Sequence, residues 1–295
     1  MSTDAVSTCD SLYVSPSADE LGLACAGRIL WERRQGLRVL VVTLFGATLP
    51  GARPEEARRA EALFRRGVDH LSLGLTPSED LLGPPDEKSL GAAADHLADL
   101  FHKSRARHLY APLAVRAAAD HRLCHLAARA GFRAGEGRSV FLFEERPEAL
   151  VRGAVRIRLG QVGARLPPAA AEAAESAALP RYLARAGMGE AFRGTRSGWS
   201  ERVRSMRAAA GVWRASRSWH PLRALGPRLQ PVVYATSPDL LADVRDVMGP
   251  LGKVQALADD YARRLRHPPH AERYWLLLPP READGRETLP FVVGA

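Results

Sequence analysis

Two groups of side chains in this sequence are of the types that do chemistry. Asp19 and Glu20 stand together in SPSADELG, and Asp120, His121 and His125 stand together in AADHRLCHLAA. Carboxylates and imidazoles are the groups from which proton transfer and metal binding are built. His121 and His125 are four residues apart and would share one helical face, a spacing that can place two imidazoles on one metal ion. Each group also has a plainer explanation. Asp19 and Glu20 would be stabilised by the partial positive charge of a helix N-terminus, and His121 would hydrogen-bond Asp120 or backbone. Cys9, Cys25 and Cys124 show no paired spacing, which argues against a disulfide framework. Cys25 and Cys124 read as small core residues.

The elements that must position these groups can be read from periodicity. Leu12 to Val14 is a short apolar strand that stops at Ser15-Pro16. Leu21 to Arg34 has a helical period through Leu23, Ala26, Ile29 and Leu30, with Gly36 placed to end it, and Leu37 to Leu44 is a buried-strand run. This βαβ unit implies a parallel sheet with helices on its faces, where sites lie beyond the carboxyl ends of the strands. Asp19 and Glu20 occupy that position.

The alternation continues along the chain. A Gly- and Pro-rich loop spans Phe45 to Pro54, and a helix spans Glu55 to Arg66 with Ala57, Ala60, Leu63 and Phe64 on one face. Strand three is Val68 to Leu75, a long helix runs from Leu90 to Arg105, and strand four is His108 to Ala111. A helix over Ala118 to Ala130 and strand five at Ser139 to Phe143 complete a doubly wound α/β pattern. Beyond Val151 the texture changes. Ala154 to Gly160 reads as one alternating strand, and helical segments with Arg and Trp extend to Trp219. Asp239 to Leu265 reads as helices broken at Gly249-Pro250, and YWLLLP closes the chain as an extended segment. We therefore expect an α/β core over residues 1–150 and a cap over residues 151–295, integrated with the core and roofing the strand ends.

Composition narrows the function classes. A chain of 295 residues with 46% hydrophobic content can bury a full core. Its formal net charge is +9, but Lys88, Lys103 and Lys253 are its only lysines, and the arginines are scattered among Ala and Gly. No basic cluster is interleaved with aromatics, so nucleic acid is not the expected partner. The first ten residues lack the basic and apolar regions of a signal peptide, and no stretch has the length of a membrane span. A cytoplasmic protein without membrane contact is expected.

SPSADELGLACAGRI resembles the first motif of the PIG-L/LmbE family of zinc-dependent N-acyl-sugar deacetylases, commonly SPHxDD followed by an LSCGG-type helix start. Tyr110 to Ala128 is similar to the family's YAPLGVGxHxDH segment, Phe141 to Leu150 to its YEDxPY segment, and AERYW (Ala271 to Trp275) to its C-terminal end. The resemblance implies a Rossmann-like doubly wound parallel sheet of order 3-2-1-4-5, with a C-terminal strand and helical cap. Its implied cofactor is zinc, and its implied partner is an N-acylated sugar or glycoconjugate. Three protein ligands would leave the fourth position for a water whose pKa the metal lowers to roughly 7.

Carried over residue by residue, the resemblance puts the first zinc His on Ser17, the general base on Asp19 and the metal carboxylate on Glu20. In the second motif the polarising His falls on Ala118, its Asp on Asp120, and the last zinc His on His121. Arg58 and Glu61 match an RRxE pattern on the second helix, read first as residues that pair across the fold, with Arg58 also a candidate substrate contact. Thr76 or Pro77 stands where the family tends to carry an acid, and Phe143 and Glu148 replace the aromatics of YEDxPY. A serine hydroxyl stays protonated and is a poor zinc ligand, and alanine offers nothing. The resemblance so implies a deacetylase-like protein with a decayed zinc site and little or no hydrolase activity. The alternatives are an active zinc-dependent N-acyl-sugar deacetylase, with Glu20, His121 and His125 as a rebuilt ligand set, and a non-catalytic sugar-binding or assembly protein.

Overall fold

The structure is a computed structural model describing residues 8–48, 53–76, 87–115, 119–130, 138–150, 154–162, 164, 227–251 and 255–278. Seven strands form one sheet: β1 (Ser11–Ser17), β2 (Val39–Gly46), β3 (Asp69–Ser72), β4 (His108–Pro112), β5 (Ser139–Phe143), β6 (Arg228–Ala235) and β7 (Ala271–Leu278). Their order is β3-β2-β1-β4-β5-β7-β6. The first five pair in parallel, as the βαβ pattern implied, in the order the resemblance implied, and β7 joins β5 antiparallel with β6 outside it. Strand β6 was not anticipated. It carries Pro231, which lacks an N–H to donate and so suits an edge strand.

Burial on both faces explains the apolar strands. Leu12, Val14, Leu40 and Val42 face one core with Leu97, Leu100, Leu123 and Cys124. Tyr13, Val39 and Val41 face another with Cys25, Ile29, Leu63 and Val247. The first core is covered by α4 (Glu87–Ser104) and α5 (Ala119–Ala130). The second is covered by α1 (Ala18–Ala24), α2 (Ala26–Arg34) and α3 (Pro54–Phe64). All three cysteines are buried and unpaired.

Three sequence expectations require correction. The helix expected over Leu21 to Arg34 is two helices, because Cys25 leaves the helical backbone at φ −130° and ψ 9°. The strand expected over Ala154 to Gly160 is helix α6 (Ala154–Gln161). The apparent alternation misleads because Arg158, in its polar phase, is buried and donates Nε–H to the Leu113 carbonyl at 2.8 Å. Val155, Arg158 and Leu159 then share a helical face. On α3 the buried face is Arg59, Ala60, Ala62 and Leu63, whereas Ala57 is exposed.

Helices α7 (Leu241–Met248) and α8 (Gln255–Arg264) flank the break foreseen at Gly249-Pro250, where Gly249 has φ +67°. The expected helices leading to Trp219, Ala118 and Pro77 lie outside the described residues. Among the described residues no helix is long and apolar enough to cross a membrane.

Candidate functional site

The carboxyl ends of β1 and β4 deliver two helix N-termini to one place. Glu20 lies in the first turn of α1 and His121 in the first turn of α5. Strands β1 and β4 pair in register from Ser11 with His108 to Tyr13 with Tyr110, so these turns meet above adjacent strands. His121 Nε2 stands 3.0 Å from Glu20 Oε1. Its other nitrogen, Nδ1, stands 3.2 Å from Glu145 Oε1, just past the end of β5. The second oxygen of Glu145 accepts the backbone N–H of Val115 at 3.1 Å.

His121 is 2% exposed, and both carboxylates lie against its ring. Burial is the largest single influence on the ring and works against charge. The charge of Glu20 and the hydrogen bonds that Glu145 and Glu20 accept from the ring outweigh it and raise the imidazole to about 10.

Asp19, the other carboxylate of the first motif, is 8% exposed. Burial pushes it up to about 6, helped by Glu20 and opposed by the Ser17 hydroxyl and Arg59. The Arg59 guanidinium is 3.9 Å away. Arg59 comes this near because α1 offers no side chain at Gly22, where a Cβ would stand 3.3 Å from the Arg59 Cβ. Arg58 turns elsewhere: it is exposed and reaches the Asp246 carbonyl on α7 at 3.4 Å. Glu61 pairs with Arg65 at 3.3 Å. Asp120 is buried in the first turn of α5.

His125 is 1% exposed and does not join Glu20 and His121. Its Nδ1 donates to the Pro112 carbonyl at 2.9 Å. Burial, with the charge of Arg158, drives its pKa down to about 3. It is neutral, one turn along α5 from His121.

These residues do not fit a catalytic zinc. Ser17 is buried at the position the first His would take and brings only a hydroxyl. An ionised carboxylate accepts hydrogen bonds and cannot donate them. His121, the one imidazole at a mapped ligand position, has both ring nitrogens in contact with carboxylates. Among the described residues no group of three or more His, Cys, Asp or Glu side chains is arranged to hold a metal ion.

Sequence reasoning passed over Glu145 and Arg59 as site residues. Glu145 stands beside Glu144, and the two point to opposite sides, as neighbours in extended chain do. Glu144 accepts from Tyr261 Oη at 2.6 Å, Arg273 Nε at 2.6 Å and Trp275 Nε1 at 2.7 Å, which ties the FLFEE and AERYW segments together. Glu272 ties AERYW to the other end of the fold. It accepts the backbone N–H of Gly27 at 2.7 Å and of Arg28 at 3.0 Å, capping α2. Gly27 leaves room for this, since a Cβ there would stand 2.5 Å from Thr236 Oγ1 and 3.0 Å from Glu272 Oε1.

No protein-family profile and no curated protein matches the sequence. Solved structures do match in fold. A deacetylase of the teicoplanin biosynthesis pathway superposes with a TM-score of 0.55 at 16% identity, over 93% of this chain and 99% of that one. The zinc-inhibited form of teicoplanin deacetylase Orf2 gives 0.53 at 15% identity, with 93% and 99% covered. The A40926 pseudoaglycone deacetylase Dbv21 gives 0.52 at 14% identity over the same shares. The chain thus has the α/β fold of these deacetylases, spread over nearly their whole length.

Proposed function

We propose that this chain is a deacetylase-like protein whose cleft has lost the zinc-hydrolase chemistry of the PIG-L/LmbE type and keeps an acylated sugar or glycoconjugate as its partner. The observation that supports the loss is the pair of contacts on His121, whose two nitrogens face Glu20 and Glu145. The ring that such a hydrolase gives to its metal is here in contact with two carboxylates. Ser17 supplies no substitute. The partner class is supported by a structural neighbour described as a deacetylase in complex with teicoplanin.

One observation favours the active reading. Asp19 is raised to about 6, within the range where a carboxylate serves as general base near neutral pH. The test is to incubate the full chain with N-acetylglucosamine conjugates and added zinc, following acetate release and, separately, ligand binding by calorimetry. Binding without acetate release is expected. Release that is abolished by Asp19→Asn would instead establish the active reading.

A further inference from the structure

We infer that Arg129, Arg158 and Nε2 of His125 form a second ligand site, between α5 and α6, for a phosphoryl group. The site stands apart from the Asp19 cleft and does not rest on the reading proposed for it. Arg122, His125 and Arg129 follow one another at i, i+3 and i+7 on α5, so they share one helical face. Arg158 joins them from α6. His125 Nδ1 donates to the Pro112 carbonyl at 2.9 Å, and Arg158 Nε donates to the Leu113 carbonyl at 2.8 Å. Two consecutive carbonyls where β4 ends thus hold the imidazole and the guanidinium beside each other.

Three features of this group point to an anion. The His125 ring is buried, yet its Nε2 has no hydrogen-bond partner. A buried polar atom left so costs free energy until a partner arrives. Arg129 is partly buried and, among the described residues, makes no hydrogen bond and no ion pair. Arg158 is buried within reach of the charges of Arg122 and Arg129. Burial and these two guanidiniums hold it down to about 10, with Glu145 opposing. Cations gathered at a partly dry site repel one another, and an oxyanion between them would relieve the repulsion and supply the missing hydrogen bonds.

The same groups select the kind of anion. Guanidinium forks match the oxygens of phosphate and of carboxylate alike. Hydrogen phosphate also carries a P–OH, so it can meet Nε2 as donor or as acceptor, whereas a carboxylate offers acceptors only. Its two negative charges balance two guanidiniums. Free phosphate and the phosphoryl group of a phosphomonoester share this chemistry.

The experiment titrates the full chain by calorimetry at constant ionic strength, with inorganic phosphate and glucose 6-phosphate as separate probes and sodium acetate as the control. We expect saturable binding of one phosphoryl group per chain that acetate at the same concentration does not displace. Arg129→Gln should weaken it by about tenfold or more, as the loss of a charged hydrogen bond does. Arg65→Gln, which removes an exposed arginine paired with Glu61 at the end of α3, should leave it unchanged. Nitrogen NMR of the wild type should show the His125 Nε2 resonance moving as phosphate is added. If Arg129→Gln does not fold, that resonance still decides. Tighter binding of glucose 6-phosphate would assign the site to a phosphorylated ligand, and tighter binding of phosphate to the free ion. Equal competition by acetate would overturn the phosphoryl assignment. An absence of saturable binding, binding that Arg129→Gln leaves intact, or a His125 resonance that phosphate does not move would overturn the site.

Discussion

Glu20 Oε1 lies 3.0 Å from His121 Nε2, so the carboxylate and the imidazole that the motifs would assign to one metal are bonded to each other. The contact is made across 101 residues of sequence and two crossovers, and it exists because β1 and β4 are neighbours in the sheet. Glu145 lies 3.2 Å from the opposite nitrogen.

Shortening one carboxylate and restoring one imidazole should reverse this. Ser17→His with Glu20→Asp supplies a new ligand and withdraws the acid from Nε2. Zinc affinity measured by equilibrium dialysis should rise by more than the roughly 10–100-fold of an outer-shell contact. Acetate release should stay weak until Ala118→His is added, because stabilising the oxyanion needs a donor beside it.

The α2 cap should be sensitive to a single methyl group. Gly27→Ala places a Cβ 2.5 Å from Thr236 Oγ1 and against Glu272, and should cost about 1–3 kcal/mol in denaturant unfolding. Gly91→Ala makes the contrasting case. It lies inside α4 with nothing within 4 Å of the new Cβ, and should stabilise by about 0.5–1 kcal/mol.

His125 should contribute an acid-side loss of stability. Its pKa is about 3 when folded and near 6.5 when unfolded, so below 6.5 the unfolded chain binds a proton that the folded chain refuses. The contribution is complete above 6.5 and falls as pH drops toward 3, by about 2 kcal/mol at pH 5. Arg158 and Arg129 reinforce this. His125→Asn, whose amide can donate to the Pro112 carbonyl, should flatten the acid limb of the wild-type stability curve.

Much of the core could be read from the sequence because its strands are apolar runs buried on both faces, and because the intervening helices keep their period. The parallel pairing followed from the βαβ alternation, and the order of the first five strands from the resemblance of the two motifs. What misled were polar residues that the fold buries. Arg158 made a helix resemble a strand, and Arg59 was passed over for its exposed neighbour Arg58. Burial of an arginine depends on a carbonyl or carboxylate that only the tertiary structure provides. Glu145 could have been singled out, since it stands at the end of an apolar strand, where sites of such sheets lie. Its partner His121 is 24 residues earlier, and no spacing rule connects them.

The central claim is that His121 belongs to a carboxylate pair and not to a metal. The most direct test is elemental analysis of the full chain, purified without chelator and dialysed against micromolar zinc. The account predicts well under one zinc per chain, and the same content in His121→Asn. One zinc per chain in wild type, lost on His121→Asn, would contradict it.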